Sequence, residues 1–460
     1  MSSPSDAPSE ASLPPASDQP AKFVEGSTMR HVVVMTLTGA LGLMAVFFVD
    51  LADMYFLSLL GEAEVAGAIG FAGAVVFINL SIGIGIAITS SALVSRSLGG
   101  GHQETAKQYA ASTLLFSFLF SLVVAICLWL GTSSILQLLG AEGAALEKAE
   151  AYLRIVIPSF PVLCIGLCLS GILRGIGDAK RAMYVTLAGA LTNAILDPIL
   201  IFGLAMGVEG AAAASAIARC VMVLVGFYGA AHAHRFITRP TFALLKRNLR
   251  DILAISVPAM LTQLATPIGN AYVTFALAPY GDSGVSALAV VTRIVPVAFG
   301  VVFSLSGAIG PIIGQNFGAG RPDRVKSSFS NALIFAAAYV VITSIILYLA
   351  RAPIAAAFNA SAEATVLIAF FCTWIGPTWL FAGFQYVANA SFNNLGKPTY
   401  STGFNWGKSL LGLVPLVTLG TWYGAAEGGL VGMAAANVLF GILATLAALK
   451  LIRRSARQSL

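Results

Sequence analysis

About twelve long apolar segments, separated by short gaps that hold most of the charge, divide this chain, and that alternation allows few folds. The segments run over 31–60, 64–98, 106–139, 148–174, 182–206, 209–234, 251–279, 284–317, 326–350, 363–393, 400–423 and 427–450. Each meets the roughly 20 residues that a tilted helix needs to cross the hydrocarbon of a bilayer. No water is available there for an open backbone, so segments of this length can span only as helices. With 58% hydrophobic and 10% charged residues and a mean hydropathy of +0.87, the chain lies far from a soluble domain, in which about a quarter of residues are charged. The expected fold class is an all-α integral membrane protein of twelve transmembrane helices.

The charges set the expected orientation. Arg96 and Lys107; Arg174, Lys180 and Arg181; Arg235, Arg239, Lys246, Arg247 and Arg250; Arg321, Arg324 and Lys326; Lys397; and Arg453, Arg454 and Arg457 fall in alternate gaps or at the carboxyl end. The remaining gaps hold mainly Glu62, Glu64, Glu142, Glu209, Asp282 and Glu427. Positive gaps stay on the cytoplasmic side, which places both termini inside, and an even number of crossings closes the pattern. The net charge of +6 is thereby spent on topology, and no nucleic-acid partner is expected. Residues 1–28, rich in Ser, Pro, Ala and Asp, read as a disordered cytoplasmic tail. They are not a cleavable signal, because the first long apolar run starts only after Arg30 and His31.

The chain also repeats. LVSRSLGGGHQETAK from Leu93 to Lys107 returns as IIGQNFGAGRPDRVK from Ile312 to Lys326, a shift of 219 residues. Gly177 falls on Gly396 at the same shift, Gly61 pairs with Gly281 at 220, and GVEGAAAAS from Gly207 matches GLVGMAAAN from Gly429. Two six-helix lobes follow, 29–234 and 251–460, joined by a basic cytoplasmic linker at 235–250. An even helix count per repeat relates the lobes by a pseudo-two-fold axis along the membrane normal, a geometry suited to alternating access.

Of twenty acidic residues, only Asp50, Asp53 and Asp197 lie inside segments apolar enough for a bilayer. A charge at the bilayer centre costs roughly 3 kcal/mol on insertion scales, so such residues face a cavity, a partner or an ion path. Asp50 and Asp53 share one helix face, as do Asn193 and Asp197. At 1.5 Å per residue Asp53 lies about 33 Å up the first helix and Asp197 about 22 Å up the fifth, both in the outer half. Low polarity favours the neutral form of a carboxyl, and a neighbouring carboxylate disfavours a second charge, which suits a pair that shares and exchanges one proton.

These residues resemble the multidrug and toxic compound extrusion (MATE) family. The resemblance spans about 30–450 and is carried by Asp53-Met-Tyr-Phe-Leu-Ser-Leu-Leu-Gly61, Leu173-Arg-Gly-Ile-Gly177, Asn193-Ala-Ile-Leu-Asp197-Pro198 and, most strongly, Gly314-Gln-Asn-Phe-Gly-Ala-Gly-Arg321. It implies two six-helix bundles that export amphipathic, often cationic compounds in exchange for protons or sodium ions. It also implies a cation site in the amino-terminal lobe at Asp53, Asn193 and Asp197, with Ser215 where the family often has Thr and Asp50 where relatives more often have Asn. A bacterial cytoplasmic (inner) membrane protein, working as a monomer with lipid and small-molecule substrates as its partners, is expected. No cofactor beyond the coupling ion is expected: H+, or alternatively Na+ held by Asp53, Asn193 and Asp197. A lipid-linked precursor flippase of a related superfamily is the alternative within transporters.

The second lobe departs from one branch of that family, because its seventh helix, reading VPAMLTQLATPIGNAYVTFAL, and its tenth, reading WIGPTWLFAGFQYVANASFNN, carry no Asp or Glu. Gln263, Asn270, Gln385 and Asn389 remain there as candidate cleft residues, with Asn393 beside them. Lys408 and Arg293, basic residues in apolar segments, are candidates for a gate, and Arg219 reads as structural. Met44, Phe47, Phe48, Tyr55, Phe71 and Phe77 are candidates for an adaptable apolar chamber, with packing or lipid contact the plainer reading. Cys127, Cys164, Cys168, Cys220 and Cys372 have no metal or disulfide spacing and read as core residues. The glycines at 99–101 and 318–320 lack the Lys-Ser/Thr of a nucleotide loop and read as tight turns. An enzyme is not expected.

Overall fold

The computed structural model describes residues 21–59, 63–358 and 361–458, which are helical apart from the linking turns. The membrane helices are α1 (Thr28–Ser58), α2 (Ala63–Gly99), α3 (Gln103–Leu130), α4 (Gly143–Ile176), α5 (Ala179–Gly203) and α6 (Gly207–Ala233) in the first half. The second half has α7 (Phe242–Leu277), α8 (Gly281–Gly318), α9 (Pro322–Ala357) and α10 (Ala362–Asn394), followed by one helical stretch from Pro398 to Arg457. Gly424 (φ −141°, ψ 26°) and Ala425 (φ 48°, ψ −133°) break that stretch. A Cβ on Gly420 would lie 2.0 Å from the carbonyl oxygen of Gly428, whereas eight residues of continuous helix would separate them by about 12 Å. The chain therefore reverses there, giving α11 (398–423) and α12 (426–457) and completing the expected twelve crossings among the described residues.

The repeat appears directly in the contact between halves. α1 packs against α8, and α2 packs against α7 and α8. A Cβ on Gly99 would meet the Gln315 carbonyl oxygen at 2.0 Å, and one on Gly318 would meet that of Arg96 at 2.0 Å. Gly99 and Gly318 are repeat mates, as are Arg96 and Gln315, so each motif sits on the other across the pseudo-two-fold. Only glycine lets the two backbones approach this closely. The expected tight turns follow immediately, with Gly101 at φ 77° and its mate Gly320 at φ 64°. These contacts close the lobes together on the basic face.

Three boundaries and the burial of two cysteines differ from the sequence expectation. The third crossing ends at Leu130, and Thr132–Leu138 forms a separate short helix, because Gly131 interrupts the apolar run. The linker is shorter than 235–250: α7 begins at Phe242, with Thr241 Oγ1 accepting from the Leu244 N–H, and Phe236 is buried. Cys164, Cys168 and Cys372 are core residues, but Cys127 and Cys220 are exposed. The tail assigned to 1–28 ends earlier, since residues 21–27 are described and packed, whereas 1–20 lie outside the described residues.

Residues 22–26 form a strap across the closed face. Phe23 is 1% exposed and packs in the core between Val32, Met35, Ile312 and Ala179. Its N–H donates to Gln315 Oε1 at 2.9 Å, while Gln315 Nε2 donates to the Gly175 carbonyl at 2.9 Å, joining the halves. Arg324 donates to the carbonyls of Phe23, Glu25 and Gly26 and to Asn316 Oδ1, and Lys22 Nζ donates to the Gly177 carbonyl at 3.2 Å. Hydrogen bonds to a charged group contribute about 1.5–3 kcal/mol each. Arg324→Ala is therefore expected to speed amide exchange at residues 22–27 at least tenfold, with the helix cores unchanged. Hydrogen-exchange mass spectrometry checks this, and unaltered protection would mean that Phe23 alone seats the strap. Beside it, Asp178 caps α5 and accepts from Arg181 Nη1 at 2.6 Å and from His234 Nε2 at 2.8 Å. Burial pushes its carboxyl up, but the hydrogen bonds from His234 and Arg181 outweigh this and hold it below its ordinary value.

Candidate cation-coupling site

Asp53, Asn193 and Asp197 come together inside the first lobe. Asn193 and Asp197 stand one turn apart on α5, and α1 packs along that helix and brings Asp53 to the same level. Asn193 Nδ2 donates to Asp197 Oδ2 at 2.7 Å and lies 3.1 Å from each oxygen of Asp53. A single amide nitrogen thus bridges two carboxyl groups and fixes their spacing. Asp197 is fully buried, Asn193 is 7% exposed and Asp53 is half-buried. Asp197 Oδ1 has no partner among the described residues. A buried carboxyl oxygen is costly without a hydrogen-bond partner.

The backbone next to the pair is irregular for a readable reason. Pro198 has no N–H to give the carbonyl of Ala194, and Ile199–Gly203 continues as a π-helical turn. Such wide turns recur at functional sites. Gly210 of α6 lies against this turn, where a Cβ would come 2.8 Å from the Leu200 carbonyl. Beyond the acids, away from the basic face, Leu57, Ile201, Val208 and Ala211 form a small buried cluster with Phe56 and Tyr152 at its edge.

Asp50 does not join the trio. It lies one turn before Asp53 but is exposed, and among the described residues no hydrogen bond or ion pair reaches it. Ser215 is half-buried and neighbours the Tyr152 hydroxyl rather than either carboxyl. Sequence reasoning missed Tyr152, whose position in an amphipathic, charged stretch gives no signal of depth. Arg219 is structural, as expected: buried, it donates to the Val156 carbonyl at 3.0 Å and to Ser159 Oγ at 2.6 Å, satisfying the end of the first half of α4 before Pro158.

The candidate gate residues separate in the same way. Lys408 is 9% exposed and lies in the π-helical turn Gly407–Leu413 of α11, without a hydrogen-bond or ion-pair partner among the described residues. Gln385 is 1% exposed, and both its side-chain polar atoms, like Asn389 Oδ1, lack partners among the described residues. Ser401 donates to the Asn389 carbonyl and to Asn393 Oδ1 at 3.1 Å each, so α10 and α11 run antiparallel with Lys408 near the level of Gln385. Gln263 is half-buried, and Asn270 and Arg293 are exposed. Of the candidate chamber aromatics, Phe47 reaches across the lobes to Phe303 at 6.4 Å.

Twelve helices in two repeat-related lobes, with a bridged carboxyl pair inside one of them, define the fold of a membrane transporter. The chain belongs to the MatE family, the multidrug and toxic compound extrusion transporters, whose family model matches residues 40–199 and 258–418. It is 29% identical over 424 residues to the FAD transporter of Shewanella oneidensis, covering 90% of this chain and 92% of that protein. It is 23% identical to the multidrug export protein MepA of Staphylococcus haemolyticus, covering 76% and 77%. Among solved structures, a mutant of the Vibrio cholerae MATE transporter VcmN aligns with a TM-score of 0.89 at 23% identity, over 93% of this chain and 97% of that one. A MATE crystal structure in the straight conformation aligns at 0.88 and 23%, over 95% and 99%.

Proposed function

We propose that this protein is a secondary active multidrug antiporter that exports amphipathic or cationic organic compounds in exchange for protons by alternating access. The observation that carries the reading is the Asn193 amide held between Asp53 and Asp197, with one buried Asp197 oxygen left free. Proton loss leaves two carboxylates around one neutral amide, and the resulting repulsion changes which lobe geometry is lower in energy. The positive gaps support a closed face turned to the cytoplasm, and the reading takes both termini to lie on that side of a bacterial inner membrane and the monomer to be the working unit. The same three oxygen-bearing side chains could instead take Na+, a hard cation matched to oxygen ligands. Reconstituted protein, tested for dye efflux under an imposed pH or sodium gradient, separates the two. Efflux driven by a pH gradient in sodium-free buffer supports proton coupling, and efflux that needs sodium replaces it with the alternative.

A second substrate reading has its own support. The Shewanella oneidensis relative is a FAD transporter, and the second lobe here buries both Lys408 and, near its level, amide atoms of Gln385 and Asn389 without partners among the described residues, with no Asp or Glu in α7 after Asp251 or in α10 after Glu363. A cation among donors suits the phosphates of a flavin nucleotide. Competition of unlabelled FAD with dye efflux tests it, and the absence of competition at millimolar FAD removes it.

A further inference from the structure

We propose that a groove on the basic face between α1 and α5 binds an anionic phospholipid, with the headgroup phosphate on Lys22 and Lys180 and an acyl chain along α1. The groove holds about 360 Å³ and changes character along its length. At the end nearest the basic gaps it is lined by Lys22, Lys180 and His31, and further along by Val34, Leu41 and Met183. Both lysines are exposed. The one carboxylate in the lining, Asp178, is already engaged by Arg181 and His234, so it leaves the positive end positive. Val34 is 51% and Leu41 63% exposed. They lie about 9 and 20 Å along the helix from Thr28, a depth reached by acyl chains.

That sequence of cations at the surface and apolar side chains below matches a phospholipid and not a soluble anion, which would use only the lysine end. Basic pockets between helices at the membrane surface take anionic headgroups, each nearby lysine contributing roughly a fivefold preference. The position has a consequence for the strap. Lys22 and Phe23 belong both to the groove lining and to the segment that ties Gly177 to Gln315 and Arg324. A lipid held there pins the strap and favours the geometry closed on this face.

The test is native mass spectrometry of the full-length protein purified in mild detergent and incubated with equal amounts of phosphatidylglycerol and phosphatidylcholine. The expected result is an excess of bound phosphatidylglycerol of about tenfold or more, falling at least fivefold in the Lys22→Gln/Lys180→Gln double variant. Lys246→Gln, an exposed basic-face substitution outside the groove, is expected to leave the ratio unchanged. Equal retention of the two lipids, or a ratio untouched by the double variant, overturns the proposal. Displacement of the lipid by millimolar inorganic phosphate overturns it too, reassigning the lysines to a free anion, and displacement by a transported dye reassigns the groove to substrate.

Discussion

Asp53→Asn and Asp197→Asn, each reconstituted at normal levels, are expected to lose at least nine-tenths of gradient-driven efflux while remaining folded. The fold survives because an asparagine carbonyl oxygen can still accept the Asn193 hydrogen bond, which spans 3.1 Å to Asp53 and 2.7 Å to Asp197. The exchangeable charge does not survive, and with it goes the energy difference between the two lobe arrangements. Asp50→Asn is the internal control: exposed and outside the trio, it is expected to keep at least half of wild-type efflux. Asn193→Ala should do more to the structure than either acid variant, because it leaves a carboxyl oxygen of the fully buried Asp197 without its donor. Such a loss costs roughly 1–3 kcal/mol, visible as a lower apparent melting temperature in detergent. Full gradient-driven efflux by both acid variants would falsify the site.

Gly99→Val and Gly318→Val form the second large expectation. Each places a Cβ 2.0 Å from a carbonyl oxygen of the opposite half, a distance that no rotamer change relieves because the obstacle is backbone. Overpacking of a tight contact costs about 1–3 kcal/mol even where side chains can yield, so these positions should sit at or above that range. The expected outcome is loss of closure on the basic face, read as abolished efflux and as labelling of a cysteine placed at buried Ser95 by a membrane-impermeant reagent. Being repeat mates, the two variants should behave alike. Gly101→Ala and Gly320→Ala, whose added Cβ meets nothing within 4 Å, face only the strain of positive φ, roughly 1–2 kcal/mol, and should keep transport. A Gly99→Val protein with wild-type efflux and a shielded Ser95 position would show that the contact does not govern closure.

Much of this architecture was legible in the residues. The segment lengths gave twelve helices because a bilayer leaves the backbone no other way to satisfy its hydrogen bonds. The 219-residue shift gave two lobes, and the same shift reappears as Gly99 on Gln315 and Gly318 on Arg96. The acids at 53 and 197 stood out because their cost in hydrocarbon is high and local. The charged-gap pattern did not reveal that residues 22–26 fold over the closed face. Their order comes from Phe23 entering a pocket between distant helices and from Arg324 gathering their carbonyls, contacts that span about 300 positions and leave no local pattern.

The acid face of α1 shows the same division most sharply. The sequence by itself determined that Asp50 and Asp53 lie on one face of one helix, since a spacing of three is a property of the helix alone. Only the tertiary structure decided that Asp53 shares an amide with buried Asp197 while Asp50 stands exposed. The position of α5, set by its packing between α1 and α6, brings Asn193 within 3.1 Å of one carboxyl and leaves the other, one turn away, without a partner among the described residues. Helical spacing fixes which side chains share a face, but the neighbour that turns one of them into a site is chosen by packing between helices 140 residues apart.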